Sequence, residues 1–463
     1  MTDYTDVSFW LQTCGDDLTP RPSLDGSVDV DVAILGAGLT GLWTAWYLLR
    51  RDPSLRVVVV EREIAGYGAS GRNGAWCAPD FNISMARLAK LHGEDAARRM
   101  QQATYDAVEE TGRATAEAGV DAGYHRGGSI RVARGPQGVP SLEHSLAEYE
   151  RFGFGPHYRL VDGAELSSRI RIAGAVRALV GDEAAVVHPG RLVRGLAGAV
   201  ERAGGTIAEQ TPVTDVRPKD ASGRAALVTP KGEVRAGTVV LAGEAYLTEL
   251  PALHRQLIPL YSLIVLTEPL TDAQWAEIGW QGREVVASTR LSIDYLSRTE
   301  DGRVLFGGRG APYRFGSPIK PEFDRHGPTH ERLRGFVRSW FPVLRDVEFT
   351  HAWGGPLGMA RDWHPTVSFD PSTGIASARG YVGHGVAATN LSGRILTDLL
   401  TGTSSPLTDL PIVNHRSKSW EIEPFRYLGV RYTQWALGRL DDAIVRSGRP
   451  PTGRSLPERL ASH

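Results

Sequence analysis

Cysteine is nearly absent: Cys14 and Cys77 are the only two in 463 residues. Two thiols cannot build a disulfide framework, and neither stands at metal-motif spacing, so a disulfide-stapled or zinc-ribbon domain is excluded and a reducing, cytoplasmic setting is expected. Net charge is lacking too, with 52 basic against 53 acidic residues and a formal charge of −1. That balance gives no global pull toward nucleic acid or an anionic membrane, and the expected partner is a small molecule. No stretch approaches the roughly 18 apolar residues of a spanning helix, and MTDYTDVSFW at the N-terminus has neither the basic segment nor the apolar core of an export signal. His351 and His364 share no ligand spacing, so no metal is expected.

What is present is an ordinary globular composition, 41% hydrophobic and 23% charged, in a chain long enough for two domains. From Val28 the text VDVDVAILGAG reads as a strand running into glycines, LTGLWTAWYLLRR as a buried helix, and RVVVVE as a second strand. Together they make one βαβ unit. Gly36-Ala37-Gly38-Leu39-Thr40-Gly41 is G-x-G-x-x-G between strand and helix, and Glu61, followed by Arg62, stands 20 residues after Gly41. The first glycine serves a tight turn, the second a close approach to pyrophosphate, and the third the packing of helix on strand. The helix start offers free N–H groups to phosphate, and the acid can accept from ribose hydroxyls. These features predict a dinucleotide site without choosing between FAD and NAD.

A second glycine-rich loop, GYGASGRNGAW (Gly66–Trp76), follows the acid at once. A nicotinamide enzyme needs no such segment, whereas a longer flavin cofactor needs more backbone contact, so the loop favours FAD. Helices are expected between Met85 and Val120 and over His188–Gly205, a buried strand ends EVRAGTVVLAGEAY, and residues 257–349 are β-rich and aromatic. A third glycine patch, ARGYVGHGVAATNLSGRILTDLLTG, runs into a helix, and YLGVRYTQWALGRLDDAIV forms a helical tail. The interleaving suggests a discontinuous dinucleotide domain (25–90, 180–250 and 351–410), a substrate domain (91–179 and 251–350) and a C-terminal helical tail (411–463).

In ILGAGLTGL, VVVVE, GASGRNGAW, TVVLAGEAY, LFGGRG, WGGPLGMARDWHP and GYVGHGVAATNLSGR, taken in order, the chain resembles the D-amino-acid oxidase (DAO) family of FAD-dependent amine and amino-acid oxidoreductases. Its SGRNG loop is most similar to the gamma-glutamylputrescine oxidoreductase-like branch. The resemblance implies an α/β fold: a glutathione-reductase-like, FAD-binding Rossmann domain with an inserted mixed β-sheet substrate domain. It implies that Gly36, Gly38, Leu39, Thr40, Gly41, Glu61 and Arg62 hold the ADP half. Ala69, Ser70, Arg72, Asn73 and Gly74 would run toward the flavin, and Val213 would touch adenine. Gly355, Gly383, His384, Gly385, Val386 and Ala387 would lie beside the ring. Family members that attach FAD covalently do so through a His near the first loop or a Cys in the C-terminal block. This chain has neither there, and non-covalent FAD is expected.

The implied chemistry is oxidation of an amine or amino acid by hydride transfer to flavin, giving an imine that hydrolyses, with dioxygen or another acceptor taking the electrons. A dehydrogenase that does not use dioxygen, an NAD-dependent dehydrogenase and a non-catalytic flavin-binding protein remain alternatives. His384 suits either side-chain chemistry or a backbone role. Arg72 suits a substrate carboxylate, a cofactor phosphate or a pairing within its loop. Tyr295 and Trp353, with Tyr246 and Tyr261, suit an aromatic amine pocket or the core. Arg290, Arg298 and Arg309 suit an acid clamp or surface charge.

Overall fold

The computed structural model describes residues 3–450 and 455–456. Val28–Leu35 and Val57–Val60 pair in parallel, and Val57–Val60 is buried at every position. A parallel strand covered on both faces has no polar side, which is why these segments read as unbroken apolar runs. The sheet continues in parallel to Thr206–Ala208 on one flank and to Gly232–Leu241 and Ile375–Arg379 on the other, closing with antiparallel Thr366–Asp370. Its two faces alternate. Val32, Ile34, Val57 and Val59 meet the helices Leu39–Arg51, Pro189–Arg202 and Gly385–Thr401. Ala33, Val58 and Val60 meet Leu227 and Val234, from the antiparallel strands Ala225–Thr229 and Gly232–Leu241.

The second sheet has eight strands, in the order Phe349–Met359, Ile258–Thr267, Val304–Arg309, Asp294–Arg298, Val285–Ser288, Ser129–Arg134, Ala175–Gly181 and Tyr158–Asp162. All neighbours are antiparallel except Val285–Ser288 and Ser129–Arg134, so this sheet is mixed. Helix Gly327–Trp340 covers one face, packing Leu333, Val337 and Trp340 on Leu263, Val265 and Phe306. Among the described residues no helix is long and apolar enough to cross a membrane.

Two expected boundaries move. Strand Phe349–Met359 pairs along Ile258–Thr267, so 351–359 belongs to the second sheet. Helix Glu94–Glu117, expected with the substrate domain, buries Ala97, Met100, Ala107 and Val108 in the first core, and its Glu110 accepts from the Tyr47 hydroxyl at 2.8 Å. Its small-residue face fits closely against a neighbouring helix, a preference that composition does not assign to either body.

Candidate active site

The first sheet ends on its phosphate-type turn. Gly36 has φ +103°, and a Cβ there would press on the Ala242 carbonyl. A Cβ on Gly41 would overlap the Gly36 carbonyl, so Gly41 allows the helix to start this close to the strand. Gly41 packs; Gly36, Gly38, Leu39 and Thr40 line a cavity. Glu61 lies at the same wall, its carboxylate accepting from the backbone N–H of Ala37 (2.9 Å) and Glu63 (3.0 Å), and burial pushes its pKa up. Val213 lines this end beside Thr211, while the Arg62 side chain pairs with Glu249 at 2.6 Å over the Tyr246 ring.

The second glycine loop closes on the first. Ser70 Oγ accepts from Leu39 N–H at 2.9 Å, and Gly66 N–H donates to the Ala37 carbonyl at 3.0 Å. The short N-terminal helix Phe9–Gln12 staples the loop from behind: Ser8 Oγ donates to the Gly71 carbonyl (2.6 Å) and Trp10 Nε1 to the Asn73 carbonyl (2.7 Å). Asn73 is spent inside the loop, donating to the Ser70 carbonyl at 2.9 Å and accepting from Ala75 N–H at 3.0 Å. Ala69, Ser70, Asn73 and Gly74 line the cavity.

Beyond Gly74 the wall changes from backbone to side chains. The Tyr295 ring lies against the Gly74 and Gly307 backbones, with its hydroxyl 2.9 Å from Ser262 Oγ. Opposite, Gly383, His384, Gly385 and Val386 present the start of helix Gly385–Thr401, and Gly355 completes the rim. His384 Nδ1 stands 3.5 Å from Asp80 Oδ2. The whole cavity measures about 840 Å³, extending from Glu61 at one end to Tyr295 and His384 at the other.

The DAO family profile, described as FAD dependent oxidoreductase, matches residues 31–399. The chain belongs to the DAO family. FAD is therefore its cofactor, and the long glycine-walled cavity with a helix start at each end fits that group. The chain is 28% identical over 404 residues to gamma-glutamylputrescine oxidoreductase of Escherichia coli, covering 87% of this chain and 90% of that one. It is 30% identical over 392 residues to the probable oxidoreductase OrdL of Rhizobium meliloti, covering 83% and 86%. Among solved structures it is similar to glycine oxidase from Geobacillus kaustophilus, with TM-score 0.70, 20% identity and coverage of 84% and 99%.

Against this DAO-family site three expected roles need correction. Arg72 is 4% exposed, and its guanidinium is taken by the Asp324 carboxylate, the Tyr67 carbonyl (2.7 Å) and the Gly354 carbonyl (3.1 Å), over the Tyr67 ring. It lines the cavity, but its charge is already paired, so it is a strut between the loop and the second sheet rather than a free cation for substrate. Trp353 does not line the cavity: it is 2% exposed, packs with Phe9 and Trp10, and donates Nε1 to the Arg72 carbonyl at 2.9 Å. Ala387 is buried in the first core, one residue past the wall.

Other residues of the DAO-family cavity lie outside the glycine turns. Glu244 holds a left-handed backbone (φ +46°), accepts from Gly380 N–H (2.9 Å) and Tyr381 N–H (3.2 Å), and burial pushes its pKa up to about 7. Asp294 accepts from Ser288 N–H (2.9 Å) and its hydroxyl (2.8 Å), its pKa raised by burial. Of the three arginines in the second sheet, Arg290 and Arg309 line the cavity, whereas Arg298 lies over Trp275 and donates to the Trp280 carbonyl. Arg309 donates to the Val382 carbonyl at 2.7 Å, and burial lowers its pKa to about 10. Among the described residues no carboxylate stands within ion-pair distance of it. Arg309 and Arg298 lie on neighbouring strands, and only their tertiary partners, Val382 and Trp280, distinguish them, a signal absent from a single sequence.

Proposed function

We propose that this enzyme oxidises the C–N bond of a small amine or amino acid, with FAD held non-covalently and dioxygen or another acceptor reoxidising it. The observation that carries the reading is the continuous cavity, glycine-walled along one length and side-chain-walled at the other. The names of its relatives support the substrate class: gamma-glutamylputrescine oxidoreductase, glycine oxidase and iminodiacetate oxidase.

When bound, FAD would supply the hydride acceptor for the carbon beside nitrogen. The amine also loses a proton and leaves as an imine, which water converts to a carbonyl compound and a free amine or ammonia. In this reading the turn at Gly36–Thr40 and the loop at Ala69–Gly74 would hold the phosphates, Glu61 the ribose, and Val213 the adenine. The start of helix Gly385–Thr401 would offer N–H groups and partial positive charge to the bound flavin. Tyr295, fixed by Ser262, orients the substrate and excludes water at the far wall. A dissociable cofactor is supported by the thiols: Cys77 is fully buried, and neither cysteine lines the cavity.

The purified protein is expected to be yellow and to lose its colour to the supernatant on acid precipitation. Under anaerobic conditions at least one member of a panel of primary and secondary amines and amino acids should bleach the flavin. If dithionite bleaches the flavin and no panel member does, the amine reading fails. Peroxide formed on admitting air identifies dioxygen as the acceptor.

A further inference from the structure

The family match ends at residue 399, yet the helix Phe425–Ser447 reaches back to the segment behind one wall of the cavity. Its face toward the body is anchored by polar groups. Gln434 accepts from Tyr313 N–H and donates to the Ala311 carbonyl, both at 3.1 Å, while Glu423, just before the helix, accepts from Gly316 N–H at 3.0 Å. The buried Asp441 carboxylate accepts from the adjacent N–H groups of Leu291 and Ser292, each at 2.9 Å, and from the Ser292 hydroxyl. Arg290 Nη2 stands 3.6 Å from the same carboxylate. Phe425, Leu428 and Trp435 lie on the solvent side. Val430 and Tyr427 pack on Ile258, Tyr313 and Val382, and a helix that docked through these apolar groups alone would have no need to bury the acid Asp441 as well.

The segment that Asp441 grips joins strand Val285–Ser288 to strand Asp294–Arg298; its Arg290 and Ile293 line the cavity, as do the flanking Ser288, Asp294 and Tyr295, while the gripped Leu291 and Ser292 stand behind that wall. Asp294 ties the segment to Ser288 from within, and Arg309 N–H ties it to the second sheet through the Ile293 carbonyl at 3.2 Å. Leu291 and Ser292 have their N–H groups held by the distant helix. A carboxylate removed from water is costly unless its acceptors are filled, and charge-assisted bonds to two consecutive amides fix both position and orientation of a turn. We propose that the C-terminal helix is part of the active site, with Asp441 a positioning residue that holds loop 289–293 as the wall over the substrate end of the cavity.

This inference rests on FAD occupying the cavity and not on which amine is oxidised, so its test reads the bound flavin directly. In Asp441→Asn holoenzyme, the acrylamide quenching constant of flavin fluorescence should rise by about threefold or more as the wall opens locally. Asp442→Asn, at the exposed neighbour, should match wild type. Hydrogen exchange on wild-type holoenzyme should show Leu291 and Ser292 amides protected, with protection lost in Asp441→Asn. Freed amides with unchanged quenching would overturn the proposal, because the loop would then move without uncovering the flavin. Should Asp441→Asn not accumulate as holoenzyme, Ser292→Ala removes one contact only and should raise quenching in the same direction. Unchanged quenching in Ser292→Ala, or wild-type amides exchanging as in a free peptide, would also overturn it.

Discussion

The two walls of the cavity are made of different material. On the first sheet's side the wall is main chain: Gly36, Gly38 and Leu39 at the turn, then Ala69–Gly74 across from it, joined through Ser70. On the second sheet's side it is side chain: Tyr295 on Ser262, Asp294 on Ser288, and Arg309 with one carbonyl partner. Backbone recognition works only where side chains are absent, so a single added carbon is ruinous there. A side-chain wall tolerates exchange of individual groups, and its losses should be graded.

The largest effect is expected on the main-chain wall. Gly41→Val places carbon against the Gly36 carbonyl, where backbone and not a flexible side chain must give way. FAD content of the purified protein, read from its visible absorbance, should fall at least about tenfold. Next comes the strut between the walls. Arg72→Ala leaves the mostly buried Asp324 without its ion-pair partner, with only the neighbouring Arg325 as counter-charge, and should cost about 3 kcal/mol, measured by denaturant unfolding of the holoenzyme. Combining Arg72→Met with Asp324→Leu should recover most of that loss, an outcome not expected if Arg72 contacted substrate. On the side-chain wall, Tyr295→Phe removes only the hydroxyl bonded to Ser262 and should cost about 1 kcal/mol, with FAD affinity unchanged. A lost cofactor in Tyr295→Phe would erase the distinction between the walls.

The same difference explains what the sequence reveals. A turn that brings main chain to a phosphate admits few residue types, so Gly36–Gly41 and Glu61 are legible, and Val57–Val60 is legible because a doubly covered parallel strand has no polar side. Residue type says much less about partners. Arg72, in the most suggestive loop, is neutralised by Asp324 from 252 residues away, whereas Arg309 faces the cavity and Arg298, on the neighbouring strand, does not. Trp353 has the look of a pocket aromatic and is core, because strand Phe349–Met359 pairs with Ile258–Thr267 in a register that its run of glycines does not announce. Asp441 carries no local signal at all; only the fold brings it to Leu291 and Ser292.

The smallest expected effect lies behind the main-chain wall, where helix Pro189–Arg202 supports the second glycine loop. His188 caps that helix: its Nδ1 accepts from Arg191 N–H at 3.1 Å, and Nε2 lies 3.1 Å from the Thr13 hydroxyl, beside Trp10 of the stapling segment. The cap works only while Nδ1 is unprotonated, and burial holds the His188 pKa down to about 4 from the usual 6.5. The unfolded chain thus takes up its proton first as pH falls. The stabilisation is complete above about pH 6.5 and is lost progressively as the pH falls toward about 4. His188→Asn keeps a capping oxygen that does not titrate. Across pH 7 to 4.5 the unfolding midpoint of wild type should therefore fall more steeply than that of His188→Asn, and parallel curves would mean that the ring is protonated in the native state without losing its place.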